Sequence, residues 1–204
     1  MEMLDIFNSE KNRIGVMERK QVHQEGHWHE TFHCWFAHKQ VDEIYLYVQK
    51  RQKGKDTFPE KFDITAAGHL LTTETPEDGC REIREELGVE IDFTELLPIG
   101  CFADEIITDA FIDREFCHTY LYKSKHALRD FILQPEEVAG IYLVRLRDVM
   151  QLFAKRVDQI EATGLETVDA QPVPCTVKLS ALDFVPHQSH YYSEVFTKIQ
   201  EAFA

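Results

Sequence analysis

Apolar residues alternate with polar ones in several short stretches of the chain, and this period of two predicts β-strands. The first two stretches, 3–7 and 13–17, flank a polar turn and predict a small N-terminal hairpin. Further strands are predicted at 31–37, 43–50, 64–67, 91–102, 116–122 and 141–144, with Pro98 interrupting the long stretch. The strands are separated by polar loops, among them 52–60, 104–109 and 135–139.

Helical periodicity predicts one central helix and two later ones. The central helix is expected to begin near Pro76, after Glu74 or Thr75, and to end before Gly88. The later helices are predicted at 146–155 and 193–203. Between them, residues 157–182 have mixed polarity and no clear period, which predicts an irregular insertion or a lid-like segment. Strands on both sides of a central helix predict a mixed α/β sandwich.

The central helix has two chemically different faces. At about 100° per residue, Cys80, Ile83 and Leu87 lie on one face, which favours packing against a core. The other face gathers three carboxylates, which belong to Glu82, Glu85 and Glu86. Like charges at this spacing destabilise a helix, whereas a hard divalent cation such as Mg²⁺ or Mn²⁺ reverses that effect.

The same face has a second interpretation that involves no metal. Acidic helix faces are common on protein surfaces, and Arg81 and Arg84 offer local partners for the three glutamates. Spacing alone leaves both interpretations open, a cation site and a solvated acidic surface.

Composition limits the classes of function. The chain has 204 residues, 44% of them hydrophobic, and a formal net charge of −14. This charge argues against a nucleic-acid surface, which needs basic patches. No apolar run is long enough for a membrane span, and the first residues lack a signal-peptide pattern. The scattered cysteines, five in number, favour reduced thiols and a cytoplasmic location.

The residues around the central helix resemble the Nudix box. Residues 81–89, REIREELGV, match its second half, and Gly68 and Glu74 match its first half. Two departures occur: the segment between Glu74 and Arg81 is one residue shorter than the family pattern, and Thr73 replaces a common glycine. The resemblance implies a Nudix-type α/β/α sandwich over a single domain, 1–204. Its core is expected at 31–156, with an N-terminal extension at 1–30 and a C-terminal extension at 157–204.

A second group of residues is similar to the isopentenyl diphosphate isomerase branch of this superfamily. The group comprises His23, His29, His69, Asp113 and Glu115, which occupy the positions of metal ligands in that branch. Asp113 stands where the branch has a glutamate. Ala67 stands where the isomerase has its catalytic cysteine, and a methyl group cannot transfer a proton. Cys34 or Cys117 would restore a thiol only if the fold placed it there.

The resemblance implies a hydrolase of diphosphate linkages in nucleoside diphosphate derivatives or related pyrophosphates. In this interpretation, Glu82, Glu85 and Glu86 bind Mg²⁺ or Mn²⁺, and Arg81 supports the glutamates. The general base is expected to be Glu86, Glu115 or Glu137, in that order. Candidates for substrate binding are Lys55, Arg51 and Gly68, although basic loop residues such as Lys55 are more often simply solvated.

The sequence is compatible with two other functions. One is isomerase activity on isoprenoid diphosphates, which the histidines favour and Ala67 opposes. The other is a non-catalytic diphosphate-binding module, which the shortened loop favours. The expected partner is a small-molecule diphosphate, with no nucleic acid and no membrane, and a homodimer is compatible with the sequence.

Overall fold

The protein is built on one mixed β-sheet, which a computed structural model describes over residues 2–204. The strands are β1 (Met3–Phe7), β2 (Arg13–Glu18), β3 (Trp28–Gln40), β4 (Glu43–Arg51), β5 (Phe62–Asp63), β6 (Ala66–His69), β7 (Leu96–Ile107), β8 (Ile112–Lys123), β9 (Val138–Arg145), β10 (Ile160–Val168) and β11 (Gln171–Leu179). The α-helices are α1 (Arg19–Glu25), α2 (Arg81–Leu87), α3 (Leu146–Phe153) and α4 (Ser189–Ala202).

Strand β3 is the centre of the sheet. The main path runs β11-β10-β9-β4-β3-β1-β2, and β3 also pairs with β6 and, in parallel, with β8. Strand β7 extends this branch by antiparallel pairing with β8. The 13 residues of β3 therefore contact four other strands along their length, which explains the nearly continuous burial from His29 to Ala37.

Helices cover both faces of the sheet. On one face, Ile83 and Leu87 of α2 pack with Phe32 and Phe36 of β3. On the other, α3 and α4 pack against a larger core that includes Trp35. Alternate β3 residues thus belong to opposite cores, as the period of two requires. The predicted mixed-sheet α/β/α sandwich, with an N-terminal hairpin and a C-terminal helix, is confirmed.

The central helix begins later than the sequence predicts. Residues Asp78–Cys80 form a tight 3₁₀ turn, and α2 starts at Arg81, so the expected start near Pro76 is wrong. The Asp78 carboxylate accepts hydrogen bonds from the backbone N–H and the hydroxyl of Thr75, at 2.8 and 2.7 Å. This local turn competes with helix and brings Gly79 so close to Phe32 that an added Cβ would lie 2.6 Å from it.

The segment 157–182 is not irregular. It forms the hairpin β10–β11, which extends the sheet beyond β9, so the prediction of an insertion or lid is wrong. Asp169 and Ala170 make the two-residue turn, both with positive φ, as a tight hairpin requires. Pro172 and Pro174 obscured the strand pattern, and they are tolerated because β11 is at the edge of the sheet.

Smaller differences concern one helix and the ends of strands. Strand β7 begins at Leu96, after a 3₁₀ turn at Phe93–Glu95, so the predicted strand is wrong over 91–95. Helix α1 was not predicted. Strand β7 continues to Ile107, so the expected loop at 104–109 is partly strand, and Pro98 causes a bulge rather than an interruption.

Within residues 2–204, no helix is long and apolar enough to cross a membrane.

Candidate active site

Four neighbouring strands supply the floor of a cavity of about 540 Å³. Strand order β6-β3-β8-β7 and the ladder register place their alternate residues on one face. In register, His33 lies opposite Ala67 on one side and Thr119 on the other, and Glu115 lies opposite His29 and Asp104. Residues that are far apart in sequence therefore face a common space above the sheet.

Helix α2 brings the buried carboxylate of Glu86 to this cavity. Glu86 is only 7% exposed, and its Oε2 accepts hydrogen bonds from the Ala67 N–H and the Gln49 amide, both at 3.2 Å. Burial, together with the charge of Glu82, raises the pKa of Glu86 to about 8. A carboxylate that is buried in this way at a cavity wall is poorly solvated, and a bound cation would stabilise its charged form.

Glu82 lies one helical turn earlier and packs directly against β6. A Cβ added at Gly68 would lie 2.2 Å from the Glu82 carboxyl group, so only glycine leaves room for this side chain. Burial raises the pKa of Glu82 to about 7, although the Arg81 charge opposes the shift. Glu85 also lines the cavity, but its side chain is 51% exposed.

Arg81 holds the acidic cluster together. Its guanidinium donates to both carboxylate oxygens of Glu74, at 2.7 and 3.0 Å, and to the His69 carbonyl at 3.0 Å. It also donates to Glu82 and, at 3.3 Å, to Glu85. Glu74 thus fixes Arg81 despite the shortened loop, and Arg81 supports the glutamates on its own helix.

The second predicted group also comes together. Asp113 Oδ1 lies 3.3 Å from His23 Nε2 and 3.5 Å from His29 Nε2, and His69 Nε2 lies 3.4 Å from His23 Nε2. Glu115 Oε1 is 3.9 Å from His29 Nε2. The unpredicted helix α1 carries His23, while β3, β6 and β8 carry the others, so the cluster exists only in the folded chain.

The donor set of this cluster fits a metal ion. His29 Nε2 and Asp113 Oδ1 are buried and make no hydrogen bond within residues 2–204. Nδ1 of His23 and of His29 lies within hydrogen-bond distance of a backbone carbonyl, at 2.9 and 3.1 Å. That contact places the ring hydrogen on Nδ1 and leaves the Nε2 lone pair facing the cluster, as in histidine metal ligands.

Comparison with known proteins agrees with this architecture. The NUDIX domain family matches residues 27–164. The chain belongs to the Nudix hydrolase family. A Clostridium acetobutylicum protein named as an uncharacterized Nudix hydrolase is 37% identical over 201 residues, 98% of each chain. One from Listeria monocytogenes is 32% identical over 156 residues, 74% of this chain and 85% of the relative.

A solved structure has a fold similar to that of this chain. The crystal structure of a Deinococcus radiodurans protein matches with a TM-score of 0.58 and 23% identity, covering 76% of this chain and 90% of that one. The prediction of an enzyme of the Nudix pyrophosphohydrolase class is confirmed by the family and by its hydrolase relatives.

The predicted substrate-binding residues line the cavity described above, which is next to α2 and is called the Nudix cavity. Lys55 forms an ion pair with Glu137, the third candidate for the general base, and both line the cavity. Arg51 also lines it, but its guanidinium is already bonded to Asp63 and Thr57. Gly68 lies against the Glu82 carboxyl group, and its lack of a side chain leaves room for that group.

Neither Cys34 nor Cys117, the two possible substitutes for the isomerase thiol, lines the cavity. Cys34 is fully buried in the core beneath α2, and Cys117 is fully buried and donates to Glu115 Oε2 at 3.5 Å. Burial raises the pKa of both thiols well above the usual value. In the described part of the chain, no cysteine lines the Nudix cavity.

Sequence reasoning missed a buried polar group on the cavity wall. It consists of His33 on β3, Asp63 on β5 and His187 before α4, which line the cavity, and of Asp104 on β7 behind His187. All four are at most 6% exposed in their side chains. The only signal in the sequence was the placement of His33, Asp63 and Asp104 inside strands, and His187, which lies in a loop, gave none.

Proposed function

We propose that this Nudix enzyme hydrolyses a diphosphate linkage in a nucleoside diphosphate derivative or a related pyrophosphate, with Mg²⁺ or Mn²⁺ as cofactor. One observation carries the proposal: Glu82 and Glu86 are desolvated side by side on the wall of an open cavity. Their pKa values of about 7 and 8 express the unfavourable energy of that arrangement without a cation. With a net charge of −14, the protein also needs a local cation to accept an anionic substrate.

The cavity residues would have three different roles: binding the cation, positioning the glutamates and binding the phosphates. Glu82, Glu85 and Glu86 would hold the cation, which stabilises charge on phosphate oxygens and makes water a better nucleophile when bound. Arg81 positions the glutamates and is engaged by Glu74, so it does not contact the substrate. Lys55 and Arg51 contribute positive charge at the cavity for the phosphates.

The general base is proposed among three glutamates that all line the cavity, Glu86, Glu115 and Glu137. Glu86 is the first candidate because its buried carboxylate lies on the cavity wall among the proposed cation ligands. Glu115 contacts His33 Nε2 at 3.5 Å, and Glu137 is 39% exposed beside Lys55. Glu115→Gln and Glu137→Gln test the other two candidates, since loss of the base lowers kcat without weakening substrate binding. Glu86→Gln also removes a proposed cation ligand, so a loss of kcat only in that variant leaves Glu86 as the candidate base.

The histidine cluster is proposed as a second cation site, as in the isomerase-like branch. His23, His29, His69, Asp113 and Glu115 supply nitrogen and oxygen donors, and the two unpartnered buried atoms point to an ion between them. The imidazole donors suit zinc, and the carboxylate donors suit manganese.

Reduced cysteines support a cytoplasmic location for the enzyme.

Isomerase activity is the second candidate, favoured by the same five residues. It is opposed by Ala67, which lies opposite His33 in the ladder, and by the complete burial of Cys34 and Cys117 outside the cavity lining. Proton transfer across an allylic system needs an acid or base on each side, and no thiol faces the cavity within residues 2–204.

Product analysis tests the proposal. The wild-type protein is incubated with nucleoside di- and triphosphates, nucleotide sugars and isoprenoid diphosphates, with Mg²⁺ or Mn²⁺. We expect release of phosphate or of a nucleoside monophosphate. A rearranged isoprenoid diphosphate with no phosphate release would establish the isomerase. Binding of a diphosphate without turnover across the panel would favour a binding module.

A further inference from the structure

The segment between β11 and α4 is part of the cavity wall, although it lies beyond the residues that match the family, 27–164. The Val185 N–H donates to the Phe62 carbonyl at 2.9 Å, and the Gln188 N–H donates to Asp104 Oδ1 at 2.9 Å. Tyr192 of α4 donates its hydroxyl to the Val185 carbonyl at 2.7 Å. These bonds fix the segment over the sheet and bring His187 to the cavity.

His187 lies between two buried aspartates. Its Nδ1 is 2.6 Å from Asp104 Oδ2, and its Nε2 is 3.4 Å from Asp63 Oδ1. Two carboxylate acceptors, one at each ring nitrogen, fit an imidazolium, which carries a hydrogen on both nitrogens. Burial alone would lower the pKa of His187, but the bonds to Asp104 and Asp63 raise it to about 10.

Asp63 connects His187 to a cavity arginine. Its other oxygen, Oδ2, accepts a hydrogen bond from Arg51 Nη1 at 3.0 Å, and Oδ1 also accepts from the Ile64 N–H at 2.8 Å. The Thr57 carbonyl and hydroxyl accept from Nε and Nη2 of Arg51. A guanidinium has five N–H donors. In the described part of the chain, the second hydrogen of Nη1 has no such partner, and it is available to a ligand in the cavity.

The charges alternate along this chain of contacts: Asp104, His187, Asp63 and Arg51 are negative, positive, negative and positive, and sum to zero. Without the imidazolium, the two aspartates would leave one uncompensated negative charge beside Arg51. An anionic phosphate would then meet a weaker positive potential, and Asp63 would lose one of the contacts that hold its carboxylate in place.

We propose that His187 is a positioning residue that, through Asp63, holds Arg51 in place to bind a phosphate of the substrate. The inference rests on the proposed function, because it assumes that a diphosphate occupies the cavity. It assigns to the C-terminal segment a role in substrate affinity, in addition to its role in covering the core.

A double-mutant cycle tests the proposal, with inorganic pyrophosphate and Mg²⁺ as the probe and calorimetric affinity as the readout. His187→Gln and Arg51→Gln should each weaken pyrophosphate binding about tenfold, and the double variant should bind no more weakly than Arg51→Gln alone. His190→Gln is the matched control and should bind like wild type. His190 is exposed, and within residues 2–204 its side chain is hydrogen-bonded only to the Ala103 carbonyl, at 3.1 Å.

Asp63→Asn keeps the experiment decisive if His187→Gln does not fold. It retains His187 and the contacts of the segment but removes the carboxylate that links His187 to Arg51, and the same tenfold loss is expected. Wild-type affinity in both variants would overturn the proposal, as would losses that multiply in the double variant. A wild-type protein that binds no pyrophosphate would also overturn it, whereas turnover on the diphosphate panel decides the hydrolase proposal separately.

Discussion

The Glu82 carboxyl group lies directly over Gly68, in space that a side chain at position 68 would fill. The Glu82 carboxyl group lies where the Cβ of any other residue at position 68 would be, with both Cδ and Oε1 at 2.2 Å from that point. The glycine of the Nudix box is therefore needed here for close approach of a carboxylate, not for an unusual backbone conformation. The spacing of the box brings Gly68, on strand β6, against Glu82, on the acidic face of helix α2.

Gly68→Ala should displace the Glu82 carboxylate and lower kcat/KM by about 10- to 100-fold, because a metal ligand would lose its position. The fold should be retained, since the clash is with the end of a flexible side chain. Gly54→Ala is the control, because nothing lies within 4 Å of its added Cβ. Steady-state kinetics on both variants checks the prediction, and unchanged kinetics in Gly68→Ala would contradict the role of Glu82.

Arg81→Lys should reduce turnover about tenfold and raise the Mg²⁺ concentration needed for half-maximal activity. A lysine has the charge but not the planar fork that bonds both oxygens of Glu74 and still reaches Glu82. Arg84→Lys, an exposed change on the same helix, should leave both quantities unchanged. Equal behaviour of the two variants would show that Arg81 does not support the acidic cluster.

His29→Asn should remove one bound transition-metal ion per chain. The buried Nε2 of His29 faces the cluster without a hydrogen-bond partner, so it is the donor whose loss affects a metal most directly. Counting bound Mn²⁺ in metal-stripped protein, by titration followed with electron paramagnetic resonance, checks this without any assay of activity. His38→Asn, on the same strand but outside the cluster, should bind as many ions as wild type.

The stability of the protein should decrease with rising pH because of His187. Its pKa is about 10 in the folded protein and near 6.5 when unfolded, so its contribution is complete below pH 6.5 and is lost as pH rises to 10. The difference in unfolding free energy between wild type and His187→Gln should shrink by about 2–4 kcal/mol across this window.

Chemical denaturation at several pH values measures this difference, and a constant difference would mean that His187 is not protonated. The ionisable groups that face His187 lie on the strands around it and on α4: Arg51, Asp63, Asp104, His33, Tyr191 and Tyr192. Burial keeps the pKa of both tyrosines well above its usual value, and Asp63 and Asp104 have lowered pKa values.

The acidic half of the site was predictable because its residues are neighbours on one helix. A period of 3.6 residues places Glu82 and Glu86 on one face whatever the rest of the chain does. Spacing alone does not predict that Glu86 is buried against β6 or that Gly68 leaves room for Glu82, and both are seen only in the structure. Glu74 illustrates the same limit, since only the folded loop shows that it fixes Arg81.

The histidine group was predicted from resemblance and not from periodicity, because its members lie on four separate elements. Their meeting depends on strand register, which pairs His29 with Glu115 and Thr31 with His69. The group around His187 gave no comparable signal. A buried imidazolium requires partners from β5 and β7, and nothing in the local sequence of residues 183–190 specifies them.

The most direct test of the central claim is the kcat of Glu86→Gln on the substrate that the wild type cleaves, with saturating Mg²⁺. The change preserves the shape of the side chain and removes its charge, so the account predicts a folded protein whose kcat falls by about 10³-fold or more. Glu77→Gln, at an exposed position just before the 3₁₀ turn that leads into α2, should retain wild-type turnover. Near wild-type kcat in Glu86→Gln would contradict the assignment of the cation site to the Nudix helix.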